Sequence, residues 1–490
     1  MDTIPEKEKY CIKTNDGPIS GIIEKYEERK YYKFKSIPYA KPPLGRLRFL
    51  PPSPIERWTE IKDCTQDAPI PLSSDADGNV NGSEDCLYIE VSTSNIHPDK
   101  PLPVMFWTGC YAFTYVSDQW YDTKLLVDHN VVFVRCGFRL GPFGFLSIND
   151  FCAPGNSGLK DIVMALKWVQ RNINAFGGDP NNVTLFGNSS GGAIIDFMML
   201  SPMAAGLFHR AIIQSSSALN NWSLDKNPSQ SVKKLAALLG IEKKECDMEI
   251  IDQLQSVPAE NIIIAFEKMR KMAIEKDITN LLDSPFKPCI EMEFEGQPSF
   301  LSRLPSTILK SGNFAQVPIL IGSTNTEGNL LQYVNKDFYE DFDKFKKTIS
   351  LLVHKTLTGD MPSRQTTEDV VQEILNFYLG EEDQLTEHTK SQFIQLISDY
   401  FFIYFVNKTV RLHKQYAPTS PIYYYVINYV GEWSLPSHCG FLNSMGHNAE
   451  LPLLFELNMP DQPSVIKGSR DSVKTRSRVL KMWTNFSKYG

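Results

Sequence analysis

A serine stands between two glycines at Gly187-Asn188-Ser189-Ser190-Gly191, and no other spacing in the chain is as well suited to chemistry. The apolar run Val183 to Phe186 precedes it, and a helix-like apolar stretch, Ala193 to Leu200, comes after. Gly-x-Ser-x-Gly between a strand and a helix predicts a nucleophile elbow, the turn that lifts a serine hydroxyl clear of the backbone for acyl transfer. The glycines have a steric reason: side chains at 187 and 191 would strike neighbouring backbone in so sharp a turn. Taken alone, the spacing also fits a flexible surface turn; the flanking elements favour the elbow.

A serine hydroxyl is a weak nucleophile until a base takes its proton and an acid holds that base in the right tautomer. In hydrolases with this elbow the chain order is serine, then Asp or Glu, then histidine. Downstream, the apolar strand 317–322 leads into Ser323-Thr324-Asn325-Thr326-Glu327-Gly328. Open α/β sheets place functional groups just past the carboxyl ends of such strands, although on spacing alone Glu327 reads first as a solvated loop acid. Of the eight histidines, His97, His129, His354, His388 and His413 sit in polar surroundings, and His209 reads as packed or helix-terminal. His447 and His438 lie late enough to be the base. His447, in a loop feeding the apolar run at 451–455, is preferred, and His438 is the fallback. Imidazole suits the role because it titrates near neutral pH.

Strand-like runs such as 131–134 and 183–186 alternate with helical stretches such as 161–176. That alternation predicts an α/β protein with a parallel or mixed sheet and helices on both faces. No linker, charge block or fixed-period repeat interrupts the 490 residues. With 42% hydrophobic and 22% charged residues the composition is globular, and a net charge of −7 argues against a nucleic-acid partner. The polar amino terminus lacks an apolar core of signal-peptide length, and no apolar run is long enough to span a membrane. The expected location is therefore cytoplasmic, or secreted if the amino terminus is incomplete. Nine cysteines leave at least one free thiol. No Cys/His cluster has metal-ligand spacing, so neither metal nor cofactor is expected.

Several blocks in order resemble the type B carboxylesterase/cholinesterase family, above all insect alpha-esterases. They are 37–49, Ser83-Glu84-Asp85-Cys86-Leu87-Tyr88-Ile89, Phe138 to Ser147, Pro154 to Asp161, Phe176 to Pro180, and the elbow. The resemblance spans nearly the whole chain. It implies an α/β-hydrolase fold: one domain over 1–490 built on a large mixed, mostly parallel sheet, with an amino-terminal antiparallel piece. It also implies a catalytic triad of Ser189, Glu327 and His447, which sets aside the bland reading of Glu327 and prefers His447 over His438. The helix ending Trp483 to Gly490 is similar to one that normally continues for several dozen residues, so a carboxyl-terminal truncation is expected.

One motif departs from the family. The strand ending at Trp107 usually leads to His-Gly-Gly-Gly-Phe, whose amides bind the developing oxyanion. Here it leads to Thr108-Gly109-Cys110-Tyr111-Ala112-Phe113. By position the oxyanion hole would use the N–H groups of Tyr111, Ala112 and Ser190. A β-carbon held in a left-handed conformation costs ~1–3 kcal/mol, and losing one donor lowers turnover by roughly 10²–10³. Cys110 reads as a small filler rather than a catalytic thiol. Asn188 and Ser190 replace the usual Glu and Ala around the nucleophile. Cys64 and Cys86 match a disulfide pair of secreted relatives; an oxidising compartment would close it for roughly 3 kcal/mol, and cytosol would leave it reduced. Trp222 reads as an acyl-pocket indole or, equally, as a packed core indole. Residues 65–85 contain no Trp, Tyr or Phe, so the cation–π cradle for choline is missing and the expected partner is a neutral carboxylic ester of small to medium size. The function implied is carboxylic-ester hydrolysis through an acyl-enzyme. The alternatives are an impaired relative that sequesters esters, or a scaffold.

Overall fold

Strands that are apolar on both faces must be covered on both, and this requirement organises the computed structural model. It describes residues 8–26, 29–75, 78–116, 120–242, 247–276, 280, 282–334, 347–352, 366–380, 386–434, 444–458 and 468–490. The fallback base His438 lies outside the described residues. The main strands are β1 (Glu8–Lys13), β2 (Pro18–Tyr26), β3 (Arg29–Pro38), β4 (Tyr88–Thr93), β5 (Leu102–Gly109), β6 (Val132–Cys136), β7 (Gly178–Asn188), β8 (Arg210–Gln214), β9 (Ile319–Thr324) and β10 (Ile422–Ile427). With a two-residue strand beside β2 they form an 11-stranded sheet in the order β1-β2-β3-β4-β6-β5-β7-β8-β9-β10. Pairings from β1 to β6 are antiparallel. From β6 to β10 they are parallel. The sheet is thus mixed and mostly parallel at its centre, as the alternating pattern predicts.

Period-two alternation sorts the central side chains. Val104, Phe106, Val132, Val134, Leu185 and Ile213 join one buried cluster, with helices α1 (Ser157–Asn172) and α2 (Ser190–Leu200) packed against it. Met105, Trp107, Phe133, Phe186, Ile212 and Leu320 face the other way. Val479, Leu480, Trp483 and Phe486 of the last helix cover that side. Helix α1 begins four residues earlier than the pattern predicts. Asn156 takes a left-handed φ of 53° and starts the helix, and the final turn, Ile173–Phe176, tightens to a 3₁₀ form. Inside α1, Asp161 accepts from Arg139 Nε at 2.8 Å and Nη2 at 2.6 Å, both residues fully buried.

Cys64 and Cys86, the candidate disulfide pair, are both buried free thiols in this structure. Cys64 Sγ donates to the Ser36 carbonyl at 3.4 Å. Burial pushes the Cys64 thiol up to about 12 and the Cys86 thiol higher still.

Candidate active site

Parallel strands end on the same side of a sheet, so the loops after β5, β7, β9 and β10 converge there. Ser189 comes directly after β7, with φ 58° and ψ −128°. Such a conformation persists only when its surroundings hold it. Here the Ser189 amide donates to the Gln214 carbonyl of β8 at 2.9 Å, and Ser216 Oγ donates to the Ser189 carbonyl at 2.5 Å. A β-carbon at Gly191 would lie 2.2 Å from the Thr108 carbonyl oxygen, and one at Gly187 would lie 2.7 Å from it. The steric reason read from the two glycines is therefore present, and Thr108 of β5 is its source.

Glu327 lies three residues past β9. Its Oε1 accepts from the Thr324 amide at 2.8 Å, and its Oε2 stands 2.5 Å from His447 Nδ1. His447 Nε2 stands 2.8 Å from Ser189 Oγ. All three residues are buried. Thr326 fastens the two loops together: its amide and its hydroxyl donate to the Met445 carbonyl at 3.2 and 2.9 Å. Among the other histidines, His413 was expected in solvent but is buried against Phe314, with Nε2 3.7 Å from Asp196.

The segment after β5 departs from the expected donor set. The Tyr111 amide is engaged: it donates to the Tyr115 carbonyl at 2.8 Å. The Thr114 amide and hydroxyl both return to the Tyr111 carbonyl at 2.8 Å, closing a tight turn. The physical cause lies in that turn: Ala112 (φ 46°) and Phe113 (φ 61°) take its left-handed positions, and Tyr111 stacks on Tyr115 with centroids 4.9 Å apart. The amides of Ala112 and Ser190 have no partner among the described residues. Ser190 Oγ donates to the Cys110 carbonyl at 2.7 Å and so ties this segment to the elbow. Trp222 is 2% exposed, donates its indole N–H to the Phe401 carbonyl at 2.9 Å, and packs between Phe402 and Phe113 with centroids 6.0 and 6.3 Å away. Phe402 is the ring that meets the site, its centroid 4.6 Å from that of His447.

Residues 8–490 match the model of the Carboxylesterase family. The chain belongs to that family. It is 36% identical over 453 residues to venom carboxylesterase-6 of Apis mellifera, covering 88% of this chain and 77% of that protein. It is 32% identical over 500 residues to juvenile hormone esterase of Tribolium castaneum, covering 98% and 83%. The crystal structure of juvenile hormone esterase from Manduca sexta, with OTFP covalently attached, superposes with a TM-score of 0.83 at 27% identity, covering 98% of this chain and 90% of that one. The fold is thus that of the α/β-hydrolases, and the protein is a serine carboxylic ester hydrolase. The cytoplasmic expectation is corrected by the same relatives. Esterases of venom and of juvenile hormone point to an extracellular protein, and a polar amino terminus does not outweigh them. Among the described residues no helix is long and apolar enough to cross a membrane.

The motif reading of this esterase missed the groups behind the relay. Glu450, 1% exposed, accepts from Asn188 Nδ2 at 2.7 Å and Gln214 Nε2 at 3.3 Å through Oε1. Its Oε2 has no partner among the described residues. Burial first, and the nearby Glu327 charge second, push its carboxyl up to about 7. Trp483 Nε1 donates to Gln214 Oε1 at 3.3 Å and extends the network to the covering helix. The one signal available in the sequence was the Asn that replaces the usual Glu at 188.

Proposed function

We propose that Ser189, His447 and Glu327 are the catalytic triad of this esterase and that turnover passes through an acyl-enzyme. The observation carrying this reading is the buried relay, 2.8 Å from serine oxygen to imidazole and 2.5 Å from imidazole to carboxylate. Ser189 Oγ attacks the ester carbonyl carbon while its proton passes to His447 Nε2. The carbonyl electron pair moves onto oxygen, then returns to expel the alkoxide, which takes the proton back from the imidazolium. Water repeats the sequence on the acyl-enzyme and releases the acid. Glu327 accepts from Nδ1–H throughout and holds the tautomer that keeps Nε2 basic.

The oxyanion is held by two amides, Ala112 and Ser190, because Tyr111 spends its own on Tyr115. A missing donor costs roughly 10²–10³ in turnover, so this is a slower esterase than one with three. The substrates are small to medium neutral carboxylic esters. Covalent attachment of OTFP in the Manduca sexta relative supports the presence of a nucleophile on this fold.

The test uses purified protein, a 4-nitrophenyl ester and a fluorophosphonate probe. Turnover and labelling that both vanish in Ser189→Ala support the proposal. Labelling without turnover would instead assign the site to ester capture, the reading that the engaged Tyr111 amide favours. Neither signal from folded protein would refute both.

A further inference from the structure

A helix that runs past the site is interrupted where it meets the imidazole. Helix α3 (Glu387–Ser398) passes into a π-helical turn, Asp399–Ile403, before α4 (Tyr404–Tyr416) resumes. The Tyr404 amide reaches back to the Asp399 carbonyl, five residues away. A π turn inserts one residue into the helical ladder and rotates the residues beyond it. Three hydrogen bonds hold the insertion. The Phe401 carbonyl accepts from Trp222 Nε1 at 2.9 Å and Asn220 Nδ2 at 2.5 Å. Ser398 Oγ accepts from the Gly328 amide at 2.8 Å, beside the acid. The consequence is that Phe402, 1% exposed, lies over His447 with the ring planes 33° apart.

We infer that Phe402 is a positioning residue for this esterase. Its π face braces the His447 ring and favours the imidazolium that forms as the serine proton arrives, which rests on the triad reading above. An aromatic face within about 6 Å of a desolvated cation attracts it, and the imidazole is such a cation only during the reaction, so the contact strengthens toward the transition state. The other groups facing His447 are Ser189 at Nε2, Glu327 at Nδ1, and the Glu450 carboxyl, which interacts with His447 and Glu327 and is itself faced by the Tyr425 phenol. Phe402→Leu leaves all of these in place and keeps an apolar cover, so it removes the π face alone.

The full chain, labelled with ¹³Cε1-histidine and assigned through His447→Gln, is titrated by NMR as wild type, Phe402→Leu and Phe402→Trp. In parallel, kcat and KM are measured on 4-nitrophenyl acetate. Phe402→Leu is expected to lower kcat roughly three- to thirty-fold with KM within about twofold. The His447 titration and the acid limb of kcat/KM move to lower pH by about half to one and a half units. Phe402→Trp, with the strongest π face, holds or raises both. An unmoved His447 titration in folded Phe402→Leu overturns the proposal; should that variant not fold, a lowered titration in Phe402→Trp does so. A wild type without turnover, but with a titration that responds to residue 402, would sink the triad reading and with it the catalytic part of the proposal, leaving only the ring contact.

Discussion

Replacing Glu450 by Gln should make this esterase more stable at pH 8 and leave it nearly unchanged at pH 4. Burial, reinforced by the Glu327 charge, moves the Glu450 carboxyl from 4.5 to about 7 in the folded protein. The unfolded chain therefore releases this proton well before the folded one does. Linkage fixes the sign: stability from the held proton is fully present below pH 4.5 and is lost as pH rises through about 7. At ~1.4 kcal/mol per pH unit, the ionised carboxylate costs the folded state about 3 kcal/mol above neutrality. Glutamine imitates the protonated acid. Its oxygen still accepts from Asn188 and Gln214 (now on Oε1), and its amide takes the place of the unpartnered Oε2. Unfolding entropy near 2 cal/mol/K per residue over 490 residues is about 1 kcal/mol/K. The Glu450→Gln advantage at pH 8 is then about 3 °C in Tm, shrinking to less than about 1 °C at pH 4. Calorimetry of both proteins at the two pH values measures it. An equal difference at both would refute the argument, since only a proton held by the fold makes the gap depend on pH.

Two more outcomes are expected from other parts of the structure. Asp161→Ala strands the buried Arg139 guanidinium and should cost about 3–5 kcal/mol, read as a fall in the urea midpoint; a loss under about 1 kcal/mol would contradict the geometry at that pair. Ala112→Val forces a β-branched side chain into a left-handed φ, so about 1–3 kcal/mol of stability should go. An unchanged midpoint would mean that the turn is not as described.

Much of the architecture was legible because alternation and burial are local properties. The strands at 131–134 and 183–186 show their two apolar faces in the sequence, and the sheet uses both. The start of α1 was not legible, because it depends on Asn156 taking a left-handed conformation that no periodicity announces. Trp222 could not be assigned either. An indole in a pocket and an indole in a core have the same neighbours in sequence, and only the fold shows this one held between Phe402 and the Phe401 carbonyl.

The sequence by itself determined which groups are available: a serine in a turn that only glycines permit, an acid past a strand, a histidine in a late loop. Each belongs to a stretch of a few residues, where sterics and side-chain chemistry act without reference to the rest of the chain. Tertiary structure alone decided what those groups meet. It turned the Tyr111 amide onto Tyr115, set Phe402 over the imidazole, and buried Glu450 beside Asn188, 262 residues away. Hydrogen bonding, dispersion and desolvation depend on distances of a few ångströms between residues remote in the chain, and only the folded sheet brings those distances about.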